Sequence, residues 1–522
     1  MRLFFFLIAF SLFLSPFYAQ AQKKNDVKYN AEGYMQKVGR GKDGYIKLMK
    51  NVRFDIKKKN TVITGDSAFY YEKRGYMQVF GRVVVKEGDS TTIRGRKLDY
   101  DLDKRSAQFR QNVVYTSGKS MTLTTDFLDY DFATKNANYF NGGKVNDKTT
   151  TLTSQRGVIN TENNTVVFTG DVVLVSPDFT LKAEKLSYNT KTKIAITTTP
   201  TEIVNKDGVV TMAEKGGTFN TGADQTTLSD ATIETETYII KAEKIQFDDA
   251  KKLYTAKGKV VLNGKEDDVT IYGDEAKFTK DGGLSKVYGN PMMKKLMGND
   301  TLYLTADTLA SFDSDNKAER YLLAFKRVRI FSKDFSGISD SLAYMFSDSS
   351  MYFFTDPVLW SDNSQIEADS IRIQLAYNKI DKMHLSVNSF IVSEDTIHNF
   401  NQIKGRKMLA QFVDGNMDKL YVYGNGESIY FALENEVQLV GMNKILCSDM
   451  TIRMRNNKVE NITFYKNPDA VFIPPHELQE PDRRLPGFNW RIQEKPTRMQ
   501  VLKNFDPSNS PKEKKDTRIQ LN

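Results

Sequence analysis

Hydrophobic and polar residues alternate with a period of two along most of the chain after its first twenty residues, and short polar turns interrupt the alternation. Residues 166–174 and 257–262 are typical segments, rich in β-branched and aromatic residues. Such segments are predicted to be half-buried β-strands. The sequence has no capped apolar stripe of helical period and length after residue 20. The pattern therefore predicts an all-β protein.

One phrase, A-[DE]-x-[LI]-x-[YF], recurs with variations along the chain, for example ending at Tyr130, Tyr188 and Phe247. Each copy is predicted to be a hairpin of about 30 residues, in which the phrase, a polar turn and a second strand follow one another. One hairpin cannot bury its apolar face alone, so we expect a long stack of about thirteen antiparallel hairpins. The acid, or its substitute, gives these anchor positions: Asp66, Arg96, Asp126, Gln155, Glu184, Glu214, Glu243, Asp274, Asp307, Asp340, Asp369, Arg406 and Asp449.

The anchor acid raises a problem of burial. Glu243, Ile245 and Phe247 would lie on one side of an ideal strand, yet an unpaired carboxylate facing a core is costly. Either the strand bulges at the small residue, or the acid lies at a rim and accepts backbone N–H groups. A structural role is favoured over a catalytic or metal-binding one, because a catalytic acid is not needed thirteen times and Arg or Gln replaces it in three copies.

Four segments are predicted. Residues 1–21 form a signal peptide, because Arg2 precedes an apolar run that ends in the cleavage site Ala19-Gln20-Ala21; an uncleaved membrane anchor is the alternative. Residues 22–331 form a regular repeat array, and residues 332–466 form further repeats with longer insertions. Residues 467–522 hold eight of the 13 prolines, which cannot continue a ladder. They are predicted to cap the last repeat up to about residue 496 and to end in a disordered tail.

Composition narrows the function. Aromatic residues at 11% argue against general disorder, and the single cysteine, Cys447, excludes a disulfide framework. The chain has three histidines and no known catalytic motif. It is therefore predicted not to be an enzyme and to hold no metal or cofactor. The net charge of +9 favours lipid head groups, lipid A phosphates or polysaccharide over nucleic acid in an exported chain, although an ordinary solvated surface explains it equally well.

The anchor phrase, followed by a G-x-V-x-[VL] strand at Gly81, Gly170 and Gly258, resembles the OstA/LptA family of periplasmic lipopolysaccharide-transport proteins. The C-terminal third more narrowly resembles the large OstA-like proteins of the Bacteroidota. The residues that carry this second resemblance are 357–360, 401–405, 424–428 and 485–490. The resemblance implies a folded-over stack of strands, a β-jelly-roll trough whose apolar interior holds acyl chains.

For function, the resemblance implies a non-enzymatic periplasmic carrier or bridge that binds lipopolysaccharide, or a related glycolipid, on its way to the outer membrane. Outer-membrane association and head-to-tail self-association are further options. Inner- and outer-membrane transport proteins would be its partners, through pairing with edge strands. An exported β-solenoid that binds or acts on polysaccharide, a structural periplasmic scaffold, and a filled rather than open interior all stay open. The interior-facing candidates for lipid contact are Leu98, Tyr100, Leu128, Tyr130, Leu186, Tyr188, Ile245 and Phe247.

Overall fold

A computed structural model describes residues 27–503, apart from short gaps. The gaps are residues 58–59, 89–90, 118–120, 148–149, 266–267, 280–282, 299, 313, 315, 414–415, 456–457 and 467. The predicted signal peptide and the predicted disordered tail lie outside the described residues.

The chain folds into antiparallel β-ladders, which confirms the all-β prediction and excludes a parallel β-solenoid. Its contacts divide it into two compact units that meet in sequence at Asn163 and Asn164. The predicted division at residue 331 concerns repeat length and stays a prediction.

The strands of the first unit are β1 Val27–Asn30, β2 Met35–Val38, β3 Tyr45–Ile56, β4 Thr61–Tyr71, β5 Tyr76–Glu87, β6 Thr91–Asp101, β7 Ser106–Ser117, β8 Met121–Asp131, β9 Asn136–Tyr139, β10 Gly143–Asp147, β11 Thr150–Ser154 and β12 Arg156–Asn160. Those of the second unit are β13 Thr165–Val175, β14 Phe179–Asn189, β15 Ile194–Thr197, β16 Thr201–Asn205, β17 Val210–Ala213, β18 Gly217–Asn220, β19 Gln225–Glu234, β20 Tyr238–Asp248, β21 Leu253–Gly264, β22 Val269–Thr279, β23 Leu284–Tyr288, β24 Met292–Met297, β25 Asp300–Thr305, β26 Thr308–Phe312, β27 Tyr321–Phe331, β28 Ser336–Met345, β29 Ser350–Phe354, β30 Val358–Ser361, β31 Ser364–Glu367, β32 Ser370–Ala376, β33 Lys379–Glu394, β34 Phe400–Val413, β35 Asn416–Glu434, β36 Gln438–Arg455, β37 Lys458–Tyr465 and β38 Asp469–Ile473. The described short helices are the 3-10 turns Gly41–Asp43, Glu72–Arg74, Lys317–Glu319, Glu480–Arg483 and Ile492–Glu494 and the α-helix α1, Arg498–Leu502.

Each long strand is bent at its middle. The ladder of β4 and β5 shifts register between Thr64 and Ser67, and the facing Gly81 has a left-handed φ of 94°. An extra residue on one strand of a pair bends that strand and increases the local twist. Strands that switch sheets at such bulges form the corners of folded-over β-structures. Where the strand breaks completely, its two halves are separate strands, such as β23 and β24, which both pair with β22.

The bend divides each repeat into two arms. We call the half that carries the G-x-V-x-[VL] residues the valine arm, for example residues 83–87, and the half that carries the L-x-Y residues the aromatic arm, for example residues 97–101. In the first unit the arms face each other. The ring centre of Tyr115, on the valine arm, lies 6.1 Å from that of Tyr130, on the aromatic arm.

The corner explains the anchor acid. Ala242 and Ile245 are buried, whereas Glu243 and Lys244 between them are exposed, so the strand changes faces at the acid. None of the thirteen anchors is buried. Several anchor carboxylates accept backbone N–H groups of the facing bulge. The described cases are Asp66 from Arg82 at 3.1 Å, Asp126 from Asn112 at 2.9 Å and Asp449 from Gly424 at 2.9 Å. The acid therefore lies at a rim and accepts backbone N–H groups, whereas the bulge lies on the facing strand and not at the small residue beside the acid.

Residues 474–503 form a segment that we call the C-terminal strap. The sequence predicted that this segment caps the last repeat. In the structure the strap also contacts strands that lie earlier in the chain. Leu485 packs in a cluster with Ile429 and Phe431, Arg491 reaches back to Asp356, and α1 contacts β25 and β27. Because its prolines prevent ladder pairing, the strap crosses the outer face of many strands instead.

Candidate functional site

The eight candidate residues all lie on the inner face, since each pairs with buried inner-face neighbours, but they differ in burial. Tyr188 and Phe247 are half-buried; Tyr188, for example, pairs with the buried Val166 and Ala195. The other six are at most 2% exposed: Leu98, Tyr100, Leu128, Tyr130, Leu186 and Ile245. Sequence therefore predicted their facing, but it did not predict which would be accessible.

The interior of the first unit is filled. Large aromatic side chains there are exposed by 2% or less, and rings from opposite arms touch. Phe54 and Tyr70, for example, have ring centres 5.7 Å apart. The largest of these buried residues are Tyr100, Tyr115, Tyr130, Tyr139, Phe54, Phe109 and Phe132. An interior packed in this way leaves no space for a ligand without displacing side chains.

A buried carboxylate joins the two arms of this unit. Glu87, at the end of the valine arm in β5, is 9% exposed. Its Oε2 accepts a hydrogen bond from the Tyr130 hydroxyl at 3.1 Å, and its Oε1 lies 2.5 Å from Lys135 Nζ. Tyr130 and Lys135 belong to the end of the aromatic arm. We call these three residues the Glu87 latch, because they hold the ends of the two arms together.

Burial keeps the phenol of the latch, and that of the neighbouring interior residue Tyr100, protonated. Burial, reinforced by the charge of Glu87, raises the pKa of Tyr130, and burial raises the pKa of Tyr100 to about 12. Tyr130 therefore remains a hydrogen-bond donor over the physiological range. A buried ion pair is seldom more stable than an apolar replacement, although breaking it from one side is costly.

Replacing Glu87 with alanine is expected to lower the free energy of unfolding by roughly 1–3 kcal/mol, because it leaves the buried Tyr130 hydroxyl without its acceptor. The double variant Glu87→Met with Tyr130→Phe is expected to be nearly neutral, since both polar groups are then removed. Chemical denaturation followed by circular dichroism measures both. Equal losses in the two variants would show that Glu87 and Tyr130 do not act as a pair.

The inner face is more accessible in the first half of the second unit. Between residues 164 and 279, several side chains that face inward near the free ends of the arms are half-buried. On the valine arm they are Leu174, Phe179, Ile203, Tyr238 and Leu262; on the aromatic arm they are Tyr188, Phe247, Tyr254 and Phe278. The inward residues nearest the corners, such as Ala256 and Val260, are buried at 0% and 1%. This part of the chain therefore has a closed corner and an apolar inner face that solvent reaches.

Such a face suits alkyl chains. Each CH₂ group that it removes from water contributes about 0.8 kcal/mol. The turns at the arm ends are polar and carry lysines, of which Lys206 and Lys265 lie near Asp178 and Glu234 at 3.8 and 2.9 Å. Exposed Lys191 lies in another of these turns. Partly paired cations at a rim contribute little individually, and salt screens them.

The potential catalytic groups do not form a site among the described residues. Burial raises the pKa of the Cys447 thiol, which disfavours the reactive thiolate. His398 and His476 are exposed and lie beside Glu394 and Glu477. No group of three or more His, Cys, Asp or Glu residues within the described ranges could hold a metal ion. The helices of the described part include none that is long and apolar enough to cross a membrane.

Sequence reasoning missed two features. Glu87 ends a strand that otherwise reads as ordinary alternation, and nothing in the sequence distinguishes it from a solvated glutamate. The apolar outer face beneath the strap does have a sequence signal. Residues 358–360 and 390–392 are continuous apolar runs, and such runs are typical of strands that are buried on both faces.

The fold and the site define a class of protein: a folded-over antiparallel β-array with an apolar inner face. Comparison with family models agrees with this class. Residues 31–184 match the model for "OstA-like protein", and residues 151–283 match that for "LptA/(LptD N-terminal domain) LPS transport protein". Residues 31–283 are thus OstA/LptA-like in sequence.

Among solved structures, the chain resembles LptH of Pseudomonas aeruginosa, described as the LptA-homologous periplasmic component of the lipopolysaccharide transport device. The identity is 12% and the TM-score is 0.20, and the match covers 23% of this chain and 82% of LptH. No curated protein sequence matches the chain.

Proposed function

We propose that the chain is a non-enzymatic periplasmic carrier or bridge that binds lipopolysaccharide, or a related glycolipid, by its acyl chains. The observation that carries the proposal is the half-buried apolar inner face between residues 164 and 279. The similarity of residues 151–283 to a family of LPS transport proteins supports the same class of ligand. Tyr188 and Phe247 are the candidate contacts, whereas the six fully buried candidates shape the corner and the core.

Edge strands are the proposed contact points for partner transport proteins or for another copy of the chain. In the described part of the structure, β1 and β2 pair only with β3, and β37 and β38 pair only with β36. Their other edges expose backbone groups that can pair with an added strand. Transfer toward the outer membrane would then take place from one protein to the next.

The packed interior of the first unit favours a different role for that unit, namely a structural one. Since Tyr100, Phe109 and Tyr130 fill the space between its arms, this unit fits the structural-scaffold hypothesis better than it fits a lipid path. The carrier function is therefore assigned to the second unit.

Photo-crosslinking tests the carrier function. A photoreactive phenylalanine analogue replaces Tyr188 or Phe247 in living cells of the native host, and the adduct is analysed for lipid. We expect lipopolysaccharide or a related glycolipid to label both positions. Apolar contact on the inner face is the physical reason, because a reactive ring there would lie among the acyl chains.

Matched controls are Gln246, one residue from Phe247 on the opposite face, and Lys191, in an exposed turn. Neither is expected to be labelled. Labelling that is equal at Phe247 and Gln246, or absent at both inner positions in a folded protein, would contradict the carrier function and favour a scaffold.

A further inference from the structure

The outer face of the valine arm changes character along the second unit. Early in that unit it is polar, as at exposed Lys182. From β30 to β36 it is apolar, and the C-terminal strap covers it. The outward side chains of this covered face that pack with the strap are Phe390, Val392, Phe400, Ile429, Phe431 and Met442.

Two glutamines on this face bind the backbone of the strap. Gln365 is fully buried; its Nε2 donates to the Asn489 carbonyl oxygen at 2.6 Å, and its Oε1 accepts from the Arg491 N–H at 2.7 Å. Gln402 is also fully buried. Its Nε2 donates to the Arg483 carbonyl oxygen at 2.7 Å, and its Oε1 accepts from the Leu485 N–H at 2.8 Å.

Each amide thus satisfies one C=O and one N–H of an extended segment, as a neighbouring β-strand would. These hydrogen bonds recognise the backbone of the strap and not its side chains. Proteins recognise extended peptides at sheet edges in the same way. A buried glutamine without such partners would be costly. The two side chains are therefore built to receive an extended segment at these positions.

The side chains of the strap provide the specific contacts. Phe400 lies 5.3 Å from Phe488 and 5.1 Å from Trp490, between ring centres. Leu485 is 2% exposed in the same cluster. The Arg491 guanidinium donates to both carboxylate oxygens of Asp356, at 2.9 and 3.0 Å. The recognised pattern is therefore L-x-x-F-x-W-R, with a turn at Pro486 and Gly487 between the two stretches that the glutamines bind.

The same face partly buries the carboxyl group of Glu367 beside Arg491. Burial raises the pKa of Glu367 to about 7, although the Arg491 charge opposes this shift. Uncovering the face would bring that carboxyl back toward its ordinary range. The covered state therefore contains groups, Glu367 and the two glutamines, that water would satisfy once the strap left.

We propose that the outer face of the valine arm between β30 and β36 is a peptide-binding surface, and that residues 478–494 of the strap occupy it as an exchangeable ligand. The strap is held by side-chain and side-chain-to-backbone contacts and not by a continuous ladder, so it can leave without breaking the sheet beneath it. This inference does not depend on lipid binding. Its occupant is the chain's own strap, and the partner chemistry that would compete is another peptide segment with the same leucine, aromatic and arginine spacing.

The test uses the complete chain with a protease site inserted after His476, in an exposed stretch. After cleavage the strap remains attached only by its contacts. A fluorescent synthetic peptide of residues 478–503 is added, and its binding is followed by anisotropy. We expect the peptide to replace the cleaved strap, and Gln365→Ala or Gln402→Ala to weaken its binding at least tenfold. Gln438→Ala, at an exposed glutamine in β36, is expected to have no effect.

A second series varies the peptide and leaves the protein unchanged, so folding of the protein is not in question. Peptides with Leu485→Ala, Trp490→Ala or Arg491→Ala are each expected to bind at least tenfold more weakly, and Met499→Ala, at an exposed position, is expected to bind normally. A strap that a hundredfold excess of peptide does not displace would overturn the proposal. Equal binding by the wild-type, Trp490→Ala and Arg491→Ala peptides would also overturn it.

Discussion

Phe109→Ala is expected to lower the free energy of unfolding by about 3–5 kcal/mol, the cost of deleting a large aromatic side chain from a packed core. Phe109 is fully buried on the inner face of the first unit, where it pairs with Leu128. Its ladder neighbours Leu98 and Leu128 are fully buried as well, so the site has little freedom to collapse into the cavity. Because both tryptophans, Trp360 and Trp490, lie in the second unit, circular dichroism or hydrogen exchange of first-unit strands is the appropriate measurement.

Phe247→Ala is the matched comparison in the second unit. An inward-facing Phe247 would lose as much as a core residue if its site were fully buried. The half-buried side chain in the structure reduces the expected loss to about 1 kcal/mol, since less surface leaves water. Equal losses at Phe109 and Phe247 would contradict the contrast between a filled first unit and an accessible second unit.

Gly81→Ala is expected to destabilise the first unit by roughly 2–4 kcal/mol, through backbone strain and crowding together. Gly81 has a φ of 94°. An added Cβ would also lie 2.2 Å from Asp66 Oδ2 and 2.5 Å from Asp66 Cβ. Asp66 cannot move away easily, because its carboxylate accepts the Arg82 N–H and pairs with the Arg82 guanidinium. The thermal unfolding midpoint measures the effect.

Gly208→Ala is the control, because it introduces backbone strain but no steric crowding. Gly208 has a φ of 80°, and an added Cβ would meet no atom within 4 Å. Its loss is expected to be about 1 kcal/mol, the lower end of the cost of a left-handed non-glycine residue. If the two substitutions cost the same, the contact between the anchor acid and the glycine of the G-x-V strand does not stabilise the corner.

The repeat could be predicted from the sequence because the interactions that form each hairpin are local. Period-two alternation and turn residues specify hairpins through interactions between residues close in sequence, so the β-strands around Asp126, Glu184 and Glu243 were predictable. The structural role of the anchor acid was also favoured from its number of copies. Its mechanism was not predictable, because the corner arises from a bulge on a neighbouring strand, and a bulge depends on how two strands align.

The inward facing of Leu98, Tyr130, Tyr188 and Phe247 follows from the sequence, because facing depends on position along one strand. Their accessibility does not, because it depends on how closely the opposite arm approaches. The Glu87 latch links residues more than forty positions apart, and the strap reaches from Arg491 to Asp356. The sequence by itself thus determined the strands, the repeat and the inward-facing residues. Only the tertiary structure decided which interior is filled, which is open and which outer face is covered, because burial is set by contacts between segments distant in sequence.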